Sequence, residues 1–439
     1  MKIFVSAYAC EPGLGSEIGV GWHWILEMSR FAELWVLTRE SNRHTIEPWI
    51  AQHPEYANIH FLYYDWPKWA RFWKKGLRGV RTYYNLWQLS TNRIVKRTMR
   101  ENGIQIFHHV TYGNVLWKVS GYGSKQTFVW GPVGGLETIP EEFTSHYSRR
   151  ARIIESVRRG VVRMLPLNHG FRKRCRRADM ILCKTEITRN LIPAKYRHKA
   201  VLQTDVATED LETLTIGAPG LQPGEVLQGS SVRVANPDPL FKDPLNKPLS
   251  FITVGRLDAW RGFDLAIEAF AKVAGEREME LTVVGSGSDK ERLSQLTKQL
   301  GVAAKVRFTG RVDAPEYRRL MQEADAVVNA SLKEGAVTVS FDAMALGKPL
   351  ICVDTTGYTR YFTEEYAVMV PLGKREEIID GLAAGMQRVA DDAERHKMGN
   401  AALAAAKRFT WHHRGEEIRE RMENLSRTGN GKWKMENGK

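Results

Sequence analysis

Short runs of β-branched and apolar residues punctuate this chain from one end to the other, and most are separated by a stretch long enough for a helix. In the first half they are Lys2–Ala7, Leu34–Thr38, Ile59–Tyr63, Ile104–His109, Thr127–Trp130 and Met180–Cys183. In the second half they are Ser250–Val254, Leu281–Val284, Val306–Phe308, Ala326–Asn329, Pro349–Val353 and Ala367–Val370. Strands that alternate with helices are joined by crossovers, not hairpins, so they pair in parallel. The pattern predicts an α/β fold of doubly wound parallel sheets. At 439 residues the chain also exceeds one ordinary core, so two such sheets are expected, each in its own domain. Residues 206–248, rich in Gly, Pro and acidic side chains, separate them as a linker with an insertion. Domains are therefore expected over 1–205 and 249–409.

Composition narrows the function classes. A hydrophobic content of 43% belongs to a globular protein. No apolar run reaches the roughly 18 residues of a membrane-spanning helix, and the apolar start Met1–Val5 is too short for a signal peptide and reads as a first strand. Cys10, Cys175, Cys183 and Cys352 are scattered without a C-x-x-C pair, which suits a reducing cytoplasm. The net charge of +14 is concentrated. Residues 71–100 hold nine Lys/Arg and no Asp/Glu, and residues 149–177 hold eleven with Glu155 as their one acid. Such patches suit nucleic acid, anionic lipid or a diphosphate. No zinc, RRM or helix-turn-helix signature accompanies them, so nucleic acid is not an expected partner.

Open parallel sheets bind ligands beyond the carboxyl ends of their strands, and five segments fall there. Glu11-Pro12-Gly13-Leu14-Gly15-Ser16-Glu17 follows the first strand; Gly13 and Gly15 would let backbone approach a diphosphate or sugar, with Ser16 at the helix start. It is not a Walker A loop, since Gly-Lys-Ser/Thr is missing, and a nicotinamide dehydrogenase would need a third glycine and a ribose acid. Val254-Gly255-Arg256-Leu257-Asp258-Ala259-Trp260-Arg261-Gly262 places Arg256 and Arg261 beside a helix start, where charge, donors and dipole act together on a diphosphate. Val284-Gly285-Ser286-Gly287 makes a small-residue turn against which a nucleoside could lie, and Thr309-Gly310-Arg311-Val312 ends the neighbouring strand. Finally, Ser331-Leu332-Lys333-Glu334-Gly335-Ala336-Val337-Thr338 opens a turn into a helix, and Asp342 follows Glu334 by eight positions. Backbone N–H groups there can hold phosphate while the carboxylates accept from hydroxyls. A nucleotide-sugar has both groups.

These motifs, in this order, resemble the retaining glycosyltransferases of family 4, with the GT-B fold of two facing Rossmann-like domains around a cleft. The Ala9–Glu17 and Trp130–Glu137 stretches look like a subgroup acting in bacterial exopolysaccharide assembly. The resemblance implies that Glu334 binds hydroxyls of the transferred hexose, that Gly335, Ala336 and Val337 offer backbone N–H groups, and that Asp342, where the family usually has Glu, holds the ribose. It also implies a helix over 410–425 packing back on the first domain. The donor would be a UDP- or GDP-sugar, with no separate cofactor. The chain has no DxD triplet or metal-spaced His/Cys cluster, so Arg256 and Arg261 are expected to do the work of a metal. A sugar-nucleotide epimerase or a phosphorylase on a similar fold is the alternative.

An N-domain histidine often lines this family's reaction centre. Strand alternation puts His108 and His109 on opposite faces, and His109 is the expected one. Trp73, Leu77, Val80, Tyr84 and Trp87 recur at helical spacing among Lys74, Lys75, Arg78 and Arg81, a pattern suited to a membrane interface. With the 149–177 cluster it points to an anionic membrane surface and an acceptor on polyprenyl diphosphate. The expected location is cytoplasmic, on the inner face of the cell membrane.

Overall fold

The computed structural model describes residues 1–13, 16–74, 76, 78–121, 126–147, 149–208, 248–333, 338–355 and 358–427. The first sheet has seven strands: β1 (Lys2–Ser6), β2 (Glu33–Thr38), β3 (Ile59–Tyr63), β4 (Ile106–His109), β5 (Thr127–Val133), β6 (Met180–Cys183) and β7 (Ala200–Leu202). Their order is β3-β2-β1-β4-β5-β6-β7, parallel throughout. The helices of this half are α1 (Ser16–Ser29), α2 (Arg43–Ala51), α3 (Val80–Glu101), α4 (Arg149–Met164), α5 (His169–Arg177) and α6 (Glu186–Leu191). β4 and β6 are buried along their whole length because helices cover both faces of the sheet.

The second sheet has six strands, β8 (Leu249–Val254), β9 (Met279–Val284), β10 (Val306–Gly310), β11 (Ala326–Asn329), β12 (Leu350–Asp354) and β13 (Ala367–Pro371). They are ordered β10-β9-β8-β11-β12-β13, and the order reverses between β8 and β11, the switch point at which such sheets bind ligands. Helices α7 (Phe263–Val273), α8 (Lys290–Gln299), α9 (Ala314–Glu323), α10 (Thr338–Ala345), α11 (Arg375–Ala390), α12 (Asp392–Ala406) and α13 (Trp411–Arg427) complete the described residues. All expected strands form, within a few residues at their ends. β7, three residues directly after a 3₁₀ turn, has no run of its own long enough to read.

The chain crosses between the halves twice, and the two crossings lie side by side through a parallel bridge between Thr208 and Thr410. α13 then packs on α1. His23 stacks on Trp411 at 4.7 Å, and Gln203 donates to Glu417 at 2.9 Å. Ile418, Met422 and Leu425 join the core that holds Trp24, Ile25 and Met28.

The aromatic stripe expected at a membrane belongs instead to a second core of the first domain, built around Tyr8, Tyr84 and Trp87. α3 begins only at Val80, so Trp73 precedes it in a separate turn, and Leu77 lies outside the described residues. Tyr84 and Trp87 are fully buried and meet Tyr8 edge-on at 5.2 and 5.3 Å. Helical spacing marked the buried face correctly; what covers it is the sheet.

Candidate active-site cleft

A cavity of about 780 Å³ opens between the two domains. Its C-terminal wall is built on the ends of β8, α9 and α10. Arg256 leaves β8 and is held by Asp258, with Nε 2.6 Å from the carboxylate. Arg261 follows, its guanidinium 4.4 Å from the centre of the Trp260 ring. Across the same wall Asp342 on α10 accepts a hydrogen bond from the Tyr317 hydroxyl of α9 at 2.7 Å. Burial pushes the Tyr317 phenol well above its ordinary pKa, and the Asp342 charge adds to this, so it remains a donor.

The N-terminal wall presents Glu17, Arg81, Gly135, Glu137, Arg158, Lys184 and Asp205. Lys184 extends from the end of β6 and pairs with Asp205, with Glu17 4.0 Å away. Burial opposes its charge, but Asp205 and Glu17 overcome that and raise its pKa. Glu137 is spent on structure: it accepts from Gly135 N at 3.0 Å and from the hydroxyls of Thr185 and Thr188 at 3.2 and 3.3 Å. Glu17 accepts from the backbone N–H of Tyr112 at 2.6 Å. Tyr112 has φ of 56°, a left-handed conformation that costs a bulky residue on the order of 1–3 kcal/mol.

Of the residues expected at the site, Arg256, Arg261 and Asp342 come together here. Glu334, Gly335, Ala336, Val337 and Gly15 lie outside the described residues. The backbone of Ser16 opens α1, and Gly13 sits in the turn before it, away from the cavity lining. Gly285 and Gly287 also have a packing role that the sequence does not announce. A Cβ on Gly285 would lie 1.8 Å from the Gly255 carbonyl oxygen, and one on Gly287 would lie 2.3 Å from that of Leu257. The two glycines let the arginine-bearing loop rest on the neighbouring turn. Val312 packs half-buried against the core.

His109 is not at the cavity. It is 1% exposed, its Nε2 is 2.7 Å from the Tyr84 hydroxyl, and burial lowers its pKa to about 3. His108 points to the opposite face, with Nε2 2.8 Å from the Gly131 carbonyl oxygen, and burial lowers its pKa to about 4. A central strand covered on both sides buries both neighbours, so alternation cannot choose a cleft residue. Tyr317, Lys184 and Lys333 also line the cleft without having been expected there. Tyr317 and Lys184 stand outside any motif, and Lys333 lies in the Ser331–Thr338 segment, where the expected roles fell on the residues that follow it. Among the described residues no group of three or more His, Cys, Asp or Glu could hold a metal ion, and no helix is long and apolar enough to cross a membrane.

Residues 240–404 match the family model described as glycosyl transferases group 1. An uncharacterized glycosyltransferase of Methanocaldococcus jannaschii is 30% identical over 160 residues, 36% of this chain and 40% of that protein. The N-acetylgalactosamine-N,N'-diacetylbacillosaminyl-diphospho-undecaprenol 4-alpha-N-acetylgalactosaminyltransferase of Campylobacter jejuni is 27% identical over 171 residues, 38% of this chain and 45% of that protein. The similarity thus spans less than half the length of either relative. Among solved structures, sucrose-phosphate synthase from Thermosynechococcus elongatus aligns with a TM-score of 0.63 at 15% identity, over 98% of this chain and all of that one. Anabaena HepE in complex with UDP and glucose aligns with a TM-score of 0.55 at 14% identity, over 97% of this chain and all of that one. At such identities the likeness is one of fold, and that fold is GT-B, two facing Rossmann-like domains with a cleft between them.

Proposed function

We propose that this chain is a retaining, metal-independent hexosyltransferase of family 4. It would move a sugar from a UDP- or GDP-sugar to a hydroxyl of a lipid-linked or oligosaccharide acceptor in bacterial exopolysaccharide or surface-glycan synthesis. The observation that carries the reading is one wall of the cleft with two guanidiniums and a carboxylate, Arg256, Arg261 and Asp342, at the switch point of the second sheet. In this reading Asp342 takes the ribose hydroxyls, Glu334 the sugar hydroxyls, and the arginines the diphosphate. The C1–O bond to the β-phosphate breaks, the acceptor oxygen bonds C1 from the same face, and its proton passes to the departing phosphate. Negative charge then grows on the β-phosphate beside Arg256 and Arg261; one such preorganised donor is worth on the order of 10²–10³ in rate. The UDP in the HepE structure and the diphospho-undecaprenol in the Campylobacter relative's name support the donor and acceptor classes.

The acceptor would be presented at the cytoplasmic face of the cell membrane. Ile153, Ile154, Val157 and Met164 of α4 are 50–65% exposed and Leu167 is 76% exposed, among the exposed Arg149, Arg152 and Arg163. An apolar ridge flanked by arginines suits an anionic lipid surface. The epimerase alternative would use cleft carboxylates, but Glu17, Glu137 and Asp205 are engaged as described, which weighs against it. Calorimetry with UDP and GDP in the absence of metal tests the donor site. Binding of one of them that Arg261→Ala weakens roughly 10–100-fold, the scale of lost charge-assisted hydrogen bonds, is the expected result. A folded protein that binds neither would refute the reading.

A further inference from the structure

Glu155 is the one acid among the eleven Lys/Arg of residues 149–177, and it is not a surface residue. It projects from α4 across the domain boundary to Lys333, and the pair is buried, the side chains 6% and 7% exposed. Its second oxygen has Arg158 3.7 Å away and makes no hydrogen bond. A buried ion pair between domains is a costly arrangement, since both charges lose water. On the far side, Lys333 Nζ sits 5.4 Å from the centre of the Trp260 ring, whose other neighbour is the Arg261 guanidinium at 4.4 Å. The Leu332 N–H donates to the Trp260 carbonyl at 3.0 Å, which ties the backbone before Lys333 to the same residue. Lys333, Trp260 and Arg261 all line the cleft.

We infer that Glu155 is a positioning residue for the diphosphate end of the donor site. Acting through Lys333 and Trp260, it sets the Arg261 guanidinium from the opposite domain. The inference rests on the donor-site reading above and adds a residue that no motif contains. Removing the Glu155 charge leaves Lys333 buried without its partner. Lys333 then withdraws toward water, and the Trp260 ring, against which the Arg261 guanidinium packs, shifts with it. The groups that would hold the nucleoside, Asp342 and Tyr317, are hydrogen-bonded to each other on α10 and α9. The consequence is selective: affinity for the β-phosphate falls and affinity for the nucleoside does not.

The test measures UDP, GDP, UMP and GMP binding by calorimetry on the full chain and on Glu155→Gln, Lys333→Met, Arg261→Ala and the Glu155→Gln/Arg261→Ala double variant. Melting temperature checks that each is folded. For whichever diphosphate binds, Glu155→Gln is expected to weaken it about tenfold, the order of one mis-set charge-assisted hydrogen bond, with the monophosphate unchanged. Lys333→Met should do the same, and in the Arg261→Ala background Glu155→Gln should have no further effect. A merely structural ion pair would weaken diphosphate and monophosphate alike, and that result overturns the inference, as does additivity with Arg261→Ala. If Arg261→Ala abolishes the preference for diphosphate and Glu155→Gln does not touch it, the inference falls and the donor site stands. A wild type that prefers no diphosphate overturns both.

Discussion

At the scale of single residues, the cleft depends on side chains aimed by their neighbours. The Tyr317 hydroxyl aims the Asp342 carboxylate. Tyr317→Phe is therefore expected to weaken nucleoside diphosphate binding by about fivefold, one neutral donor's worth of orientation, with the melting temperature nearly unchanged; calorimetry and a thermal scan separate the two effects. The two buried histidines give a pH signature. Each has its folded-state pKa lowered, from 6.5 to about 4 for His108 and about 3 for His109, so each binds its proton more readily when unfolded. The stability they confer is complete above about pH 6.5 and is lost as pH falls from there through 4 and then 3. Replacing His109 by Gln should remove a slope of up to about 1.4 kcal/mol per pH unit across that window, measured as the pH dependence of urea midpoints for the two proteins. Arg256 and Arg261 were legible in the sequence because a strand end, a glycine and a helix start surround them. Tyr317 and Lys184 were not, because nothing local marks a tyrosine or lysine as facing a ligand.

Among elements, the strands were the most readable. A strand covered on both faces is a short block of apolar residues, and β6 and β11 stand where such blocks predict them. Helical faces were harder. The stripe of Tyr84 and Trp87 and the ridge of Ile153, Ile154 and Val157 both occur in basic, amphipathic helices, yet the first is core and the second is exposed. Periodicity reports that a face is apolar, and only the tertiary fold reports what meets it. Ile153→Glu with Val157→Glu is accordingly expected to reduce sedimentation with vesicles of anionic phospholipid at least several-fold, while Trp87→Ala should unfold the first domain. The loop packing at the donor wall is tested by Gly285→Ala. The added Cβ would sit 1.8 Å from a carbonyl oxygen at φ of 135°, so the second domain should lose more than about 3 kcal/mol, read as a fall in its melting temperature.

For the molecule as a whole, the two-sheet architecture followed from alternation and length, while the relation between the sheets did not. The ion pair of Glu155 with Lys333 and the packing of α13 on α1 join residues far apart in sequence; the family resemblance implied the second, and neither leaves a trace in local periodicity. Trp411, 7% exposed and stacked on His23, fastens the second of these contacts. Trp411→Ala should lower stability by about 3–5 kcal/mol, seen as an earlier thermal transition for the first domain than for the second.

The double crossing also orders events during synthesis. The sheet of residues 249–371 and the helices to Ala406 form one uninterrupted stretch, so that half can fold as it leaves the ribosome. The other half begins emerging earlier but cannot close. The α1 surface that meets Ile418, Met422 and Leu425 stays uncovered until α13 has been made. The half that starts first is thus the one that finishes last, and through that interval a nascent chain presents an open apolar seam of the kind that molecular chaperones bind.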